Sequence, residues 1–194
     1  MKKKLGITDI FFPAPAALIV SGNISKEINI ATVAWVGMVS STPSTIGISL
    51  DKRRYSLGLI RDSKEFTVNI PSAEYYKETD FCGLVSGKRV NKFAETGLTP
   101  VKSNRIQTPI LQECPFNLEC RLVDEKELGD YILLFGEIVE TQMDADKVGL
   151  QNDRIHIDIA KVNPLVYCAT IREYWKLGQK VGDAFCAGTN LITK

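Results

Sequence analysis

The chain has little net charge to offer a charged partner. Its 194 residues carry 24 Lys and Arg against 23 Asp and Glu, which gives no field to attract nucleic acid or a membrane surface. Histidine is nearly missing, with His156 alone. The five cysteines are odd in number and include no CxxC pair. Their closest two, Cys114 and Cys120, are six positions apart, so neither a zinc site nor a disulfide framework is expected. Free thiols instead suit a reducing cytoplasm. No run of about 18 apolar residues exists to span a bilayer. After Lys2-Lys3-Lys4 the chain is too polar and too broken by proline for a signal peptide. Repeats and low-complexity segments are absent as well.

Several chemical motifs are also lacking. There is no GxGxxG to mark a dinucleotide-binding strand–turn–helix. Gly83-Leu-Val-Ser-Gly87-Lys88-Arg89 imitates a phosphate loop, but only three residues separate its glycines, and Arg89 stands where Ser or Thr would hold magnesium. No GxSxG elbow occurs, and His156 sits in an alternating strand, sharing a face with Arg154 and Asp158. It reads as a partly exposed structural histidine. Hydrolase, triphosphatase and metal chemistries therefore lack their parts, and no catalytic side chain and no metal ligand set is assigned.

What the chain does have is an uncharged stretch from Ile28 to Leu50, rich in Thr, Ser, Gly and Ala where a purely structural strand would carry larger aliphatics. It is followed at once by Lys52-Arg53-Arg54 and Tyr55-Ser56. A small-residue shelf beside a cationic knot suits a ligand with a planar part and an anionic tail. The knot has two readings. It could solvate a strand–helix junction, or it could bind phosphate where a helix N-terminus adds backbone N–H groups and arginine adds a two-pronged donor. Trp35 and Met38 can equally be core residues at strand spacing.

Periodicity organises the rest. Ala17–Ser21 reads as a strand and Gly22-Asn23 as a turn. Asn29–Pro43 reads as two strand segments parted near Gly37, and Ile46, Ile48 and Leu50 alternate with small residues. Tyr55–Asp62 is a short helix, and Glu65–Ile70 the cleanest alternating strand. Ser72 caps a helix that Gly83 closes, and Gly97 stops another. Residues 98–115 look loop-like. Phe116–Val123 and Tyr131–Thr141 are longer strands joined through charged Asp124–Glu127, and Arg154–Ile159 is a further strand. About six or seven strands against three short helices, without strand–helix alternation, fit an antiparallel barrel with helical insertions.

One family accounts for these features together. The string Asn29, Ala31-Thr32-Val33, Trp35–Ser41 and Pro43, with Gly47-Ile48-Ser49 and Arg54-Tyr55-Ser56, resembles the flavin reductase-like, FMN-binding split-barrel family and its flavoredoxin branch. The likeness continues at Val68–Pro71, Cys82-Gly83, Val85–Gly87, Lys92–Leu98, Glu113–Cys120, Gly136–Val139 and Asn163–Tyr167. It implies a mainly β, Greek-key split barrel that forms a homodimer. A single domain spans 1–194, with an N-terminal arm over 1–12 and a C-terminal extension over 163–194. FMN is the implied cofactor. Thr32, Ala34, Trp35, Val36 and Gly37 would line its ring, and Ser40, Ser41 and Ser49 would lie beside the ring or ribityl chain. Arg54, Ser56 and Lys92 would hold the phosphate, with Ser86, Gly87 and Lys88 nearby. The chain departs from the family at Ser44, where proline is common, and at Ala34, where serine is common. The implied activity is NAD(P)H-dependent flavin reduction. The alternatives are a flavoredoxin-type carrier serving a redox protein, or a non-catalytic binding module.

Overall fold

A computed structural model describes residues 1–151 and 154–191. In chain order the elements are β1 (Ala14–Pro15), β2 (Ala17–Asn23), β3 (Glu27–Val33), β4 (Val36–Ser41), β5 (Ser44–Asp51), α1 (Tyr55–Ser63) and β6 (Glu65–Ile70). Then come α2 (Tyr76–Leu84), α3 (Lys92–Thr96), β7 (Pro100–Val101), β8 (Ile110–Leu111), β9 (Phe116–Leu128) and β10 (Tyr131–Met143). The last are β11 (Val148–Gln151), β12 (Arg154–Ile157), α4 (Ile159–Val162), β13 (Leu165–Cys168) and β14 (Glu173–Lys176). No helix among the described residues is long and apolar enough to cross a membrane.

Seven strands form one antiparallel sheet in the order β3-β2-β6-β9-β10-β5-β4. Laid flat at about 4.8 Å per strand, its edges β3 and β4 would stand roughly 29 Å apart. Yet Val33 and Val36 are separated only by Ala34 and Trp35, a link that reaches at most about 11 Å. The sheet must therefore curl until its edges meet, which makes it a barrel. Among the described residues no ladder pairs β3 with β4, so the barrel is split between them. Near the join, the Ser49 N–H donates to the Trp35 carbonyl at 2.9 Å. The result is a Greek-key split barrel.

The pleat sends Ile19, Ile48, Phe66, Val68, Cys120 and Leu134 into the interior, where α1 adds Leu57 and Ile60. The other face of β2 and β3 is buried too, by α2, α3 and the segment after them, around Leu18, Val20, Ile30, Cys82 and Leu111. Burial on both sides explains the uninterrupted apolar run Ala17–Val20. At the C-terminal end, Leu165 packs on Ala16 and Ala73, so β13 and β14 lie against β1.

Several sequence expectations need correction. The strand β2 runs through Gly22 and Asn23, so the turn lies after them. The break in Asn29–Pro43 falls at Ala34–Trp35 and not near Gly37, because that is where the chain passes from one sheet edge to the other. Gly83 lies inside α2, where a Cβ would come 3.3 Å from the Thr32 Cβ; it marks a close approach and not a helix stop. Asp124–Glu127 belongs to β9, which runs past the end of β6 with exposed side chains while still paired to β10, and turns only at Gly129. The strand of His156 ends at Ile157 and pairs in a separate hairpin with β11, where Ile155 is solvent-exposed. Residues 192–194 of the extension lie outside the described residues.

The loop-like segment 98–115 is pinned by buried polar groups. The carboxylate of fully buried Glu119 accepts the Asn104 and Arg105 N–H groups at 2.7 Å each and the Gln142 amide at 2.6 Å. Asn69 donates to the Leu18 carbonyl at 2.9 Å and accepts from the Leu111 N–H at 3.0 Å. Buried polar atoms are costly unless bonded in this way.

A close approach inside the barrel sits at Gly136, where a Cβ would lie 2.3 Å from the Phe66 ring and 3.0 Å from the Cys120 Cβ. Gly136→Ala should overpack the barrel and cost about 1–3 kcal/mol. Urea unfolding followed by circular dichroism reads this as a lower midpoint; an unchanged midpoint would show that Phe66 gives way freely.

Candidate functional site

The join at Ala34–Trp35 forms one wall of a cleft of about 720 Å³. Thr32, Ala34, Trp35 and Ser49 line it from the barrel, and Tyr131 from the start of β10. Tyr167, Thr170 and Arg172 face it from the C-terminal segment, and Asp9 and Ile10 from the N-terminal arm. The Trp35 ring is about two-fifths exposed and lies 4.8 Å from that of Tyr131, tilted by 45°. The wall is thus broad and aromatic, with small residues where a ligand's edge can approach backbone. Its size falls in the range of about 300–1,000 Å³ typical of small-molecule sites.

Asp51, Arg53 and Arg54 also line a second cavity of about 260 Å³, so the two adjoin along that wall as a two-part trough. The second part is walled by Asn29, Ser56, Ser86, Gly87 and Lys92. It lies at the start of α1, which has no side-chain cap and no acidic residue in its first turn. Its opening N–H groups and positive dipole end are accordingly available to an anion.

Counting donors shows what this end can bind. Arg54 spends one N–H on the Gly83 carbonyl at 2.9 Å, leaving the rest of its guanidinium free. The Ser56 hydroxyl accepts from the Asn29 amide at 2.8 Å, so its own proton remains to be donated. Lys92 is buried and gives two protons to the carbonyls of Ile30 and Cys82, both at 2.7 Å, which leaves a third. Gly87 is required by close packing here, because a Cβ would come 2.0 Å from the Asn29 side-chain oxygen. Three spare donors, two of them cationic, thus converge on one small cavity.

The basic knot divides between solvation and binding. Lys52 pairs with Glu127, and Arg53 makes a two-pronged pair with Asp51 at 2.5 and 2.9 Å. The Arg53 hydrogen bonds hold the Asp51 carboxyl well below the usual carboxylate range. Arg54 has no carboxylate partner among the described residues, and it is the member that bridges both parts of the trough. Burial, helped by the Arg54 charge, lowers the Lys92 amine to about 8. The thiol of Cys82 beside it is pushed up to about 11 by burial, which makes it a poor nucleophile.

Of the residues singled out from sequence, Thr32, Ala34, Trp35 and Ser49 stand on the aromatic part. Ser56, Ser86, Gly87 and Lys92 stand on the anion part, with Arg54 on both. Lys88 lies just outside, its amine 5.6 Å from the centre of the Tyr55 ring. Val36 and Gly37 line a different, apolar groove with Val68 and Leu118. Ser40 and Ser41 sit at the exposed end of the β4–β5 hairpin, where Ser40 accepts from the Thr42 N–H at 3.2 Å. The structure does not bring these four to the trough of their own chain, because β4 leads away from the corner by about 3.3 Å per residue. Sequence reasoning missed Asn29, Tyr131, Tyr167 and Arg172 as lining residues. Asn29 carried a signal, an amide two positions before Ala31 on the same strand face. Tyr167 carried one too, as the end of the family-like Asn163–Tyr167, whereas Tyr131 and Arg172 arrive from distant segments without a local signal.

Comparison with known proteins gives a consistent result. The flavin reductase like domain family matches over residues 10–175. A protein of Archaeoglobus fulgidus of uncharacterised role is 38% identical over 146 residues, covering 75% of this chain and 81% of that protein. The structure of flavoredoxin from Desulfovibrio vulgaris (Miyazaki F) superposes with a TM-score of 0.89 at 34% identity, covering 97% of this chain and 100% of the other. That of flavoredoxin from Methanosarcina acetivorans gives 0.86 at 30% identity, covering 98% and 100%.

The position of Lys92 sets a pH dependence. An anion favours its charged form, so any affinity for a phosphate-bearing flavin such as FMN should fall as pH rises above about 8, while any for phosphate-free riboflavin should not. The stability of the free protein should move the opposite way. Its unfolded lysine titrates near 10.5 and holds its proton longer, so stability rises between pH 8 and 10.5. Titrations of both flavins from pH 7 to 9.5 check the first expectation; parallel curves would remove Lys92 from the anion site.

Proposed function

Because the chain belongs to the flavin reductase-like family, we propose that it is a flavin-binding oxidoreductase that holds FMN along the trough and takes electrons from NAD(P)H. The observation that carries this reading is the set of spare donors at the start of α1, adjoining an aromatic-walled cleft. The residues present fit the group: a dianionic phosphate suits Arg54, Ser56, Lys92 and the α1 N–H groups, and a flat ring suits the space between Trp35 and the small residues of β3 and β5. When bound, FMN would supply acceptance of a hydride or of two single electrons, chemistry that side chains lack.

The chain's own part is positioning and electrostatics. Arg54 and Lys92 fix the phosphate end, which sets how far the ring enters the cleft. The Trp35 carbonyl is taken by Ser49, which leaves the N–H groups of Ala34 and Trp35, at the split between the sheet edges, to bond polar ring edges and to stabilise negative charge gathering there. No side-chain acid or base is assigned. The nearest thiol is buried and keeps its proton.

A homodimer belongs to the same reading. Met38 and Val39 are more than half exposed on β4, beside Ser40 and Ser41. On the β11–β12 hairpin, Leu150 and Ile155 face each other while both about three-quarters exposed. A lone two-stranded hairpin with a wet apolar face is marginal in water, and a second copy would cover it. Cys82, Cys114 and Cys120 are free and buried, in keeping with a reducing, cytoplasmic setting.

Likeness over the full length to two flavoredoxins favours a second reading, in which bound FMN passes electrons to or from a redox protein. An anaerobic visible spectrum separates the two. Bleaching by NADH or NADPH supports the reductase, whereas bleaching only by a reduced redox protein supports the carrier. Protein that binds no flavin even when FMN is supplied would sink both.

Arg54→Ala should weaken FMN binding by about 10- to 100-fold, the loss of a charge-assisted hydrogen bond worth roughly 1.5–3 kcal/mol. Riboflavin binding should change little. Equal FMN affinity in the variant, measured by fluorescence quenching, would overturn the phosphate assignment.

A further inference from the structure

An aromatic hollow outside the trough lies at the β13–β14 hairpin. Its floor is buried Ala73 and Leu165, and Tyr76, Tyr174 and Trp175 wall a space of about 390 Å³. Tyr76 and Trp175 stay 45% and 55% exposed although they flank an apolar floor. The charged residues lining the hollow are Glu74 and Lys176, and neither makes an ion pair among the described residues. Two of the rings are tied down. The Tyr174 hydroxyl donates to the Asp80 carboxylate at 3.1 Å, and the Trp175 indole N–H donates to Glu173 at 3.0 Å. Tyr174 also stands opposite Tyr167 across the hairpin, with ring centres 5.5 Å apart and a tilt of 44°. Tyr167 lines the cleft, so two tyrosine rings in contact join the hollow to the cleft.

Aromatic faces over an apolar floor suit a flat ring, and the volume is within the range of about 300–1,000 Å³ that accommodates small-molecule ligands. The opposite charges of Glu74 and Lys176 offset one another, which favours a neutral ligand with polar edges over an anion or a cation. We propose that the hollow binds a quinone-type electron acceptor, apart from the trough, and that the Tyr167–Tyr174 pair couples it to the cleft. The Lys176 ammonium is a donor for a quinone carbonyl, and the Glu74 carboxylate is an acceptor for a hydroquinone hydroxyl, so each redox state finds a partner. In the overall exchange the quinone takes up two electrons and two protons and becomes the hydroquinone. Reduced FMN gives up the same number of each, the protons by way of water, and no bond forms between the two molecules. The source of electrons rests on the FMN reading of the trough, whereas the binding site does not.

Calorimetric titration of the full chain with duroquinone, in the presence of FMN, tests the site. Duroquinone is fully substituted and cannot alkylate the exposed Cys186 thiol. Binding should saturate at a single quinone per chain. Tyr76→Ala combined with Trp175→Ala changes two exposed side chains that line the hollow and not the trough. The double variant should weaken duroquinone by about tenfold, the loss of two stacking faces, and leave FMN within about twofold. Tyr131→Ala, in the cleft alone, should leave duroquinone affinity unchanged. No saturable binding would overturn the proposal, and so would binding that Tyr131→Ala abolishes and the double variant keeps. The coupling has its own readout. Tyr167→Leu should slow oxidation of the photoreduced, FMN-loaded protein by saturating duroquinone, and Tyr167→Phe should keep the rate. Equal rates in all three proteins would overturn the part given to the ring pair. A chain that binds duroquinone but no FMN would take down the flavin reading and leave the quinone site standing.

Discussion

The whole arrangement depends on two residues being too few to span a flat sheet. Because only Ala34 and Trp35 join the outermost strands β3 and β4, closure of the barrel is a matter of chain length before it is one of packing. Closure then locates the site. Leaving the corner, the chain runs out along β4 and back along β5, with Val36 opposite Ile48, so Ser49 through Arg54 return to where Trp35 began. The helix α1 starts at that point. The aromatic wall and the anion end of the trough are therefore the two ends of one hairpin, and strand register fixes their separation.

The same hairpin explains how much of the site was legible in sequence. Small residues alternating with aliphatics marked β5, and the absence of charge from Ile28 to Leu50 marked a run able to approach a ligand. The left-handed backbone at Gly97 matched its reading as a helix stop. Gly83 shows where the same residue type misleads: glycine also serves close approach, and only the packing of α2 on Thr32 decides between the two. Asp124–Glu127 looked like a connection because charge commonly marks loops, yet a strand beyond the core can be charged on both faces. The anchoring of 98–115 by Glu119 and Asn69 joins residues distant in sequence, and local pattern carries no trace of that.

The basic knot shows why counting charges does not define a site. Three adjacent cations present the same local sequence signal, but their partners differ. Exposed pairs such as Lys52–Glu127 contribute little stability, typically under about 1 kcal/mol, yet they do decide which cation is left over. Removing Lys52 and Arg53 from consideration leaves Arg54, tethered to the Gly83 carbonyl by one of its donors. That tether costs little binding capacity and holds the guanidinium in place, so less side-chain entropy is lost when an anion arrives.

Lys92 takes this reasoning furthest. Burying an ammonium is expensive, and a structural lysine in such a place would normally face a carboxylate. Here its hydrogen-bond partners are two backbone carbonyls, and its cationic neighbour Arg54 adds repulsion. The carbonyls tie β3 to α2 but carry only partial charge. Burial and repulsion together lower the amine's affinity for its proton, and an anion is the group that would restore it. Lys92 thus couples the packing of α2 against the barrel to the charge at the trough. A ligand phosphate would strengthen both at once.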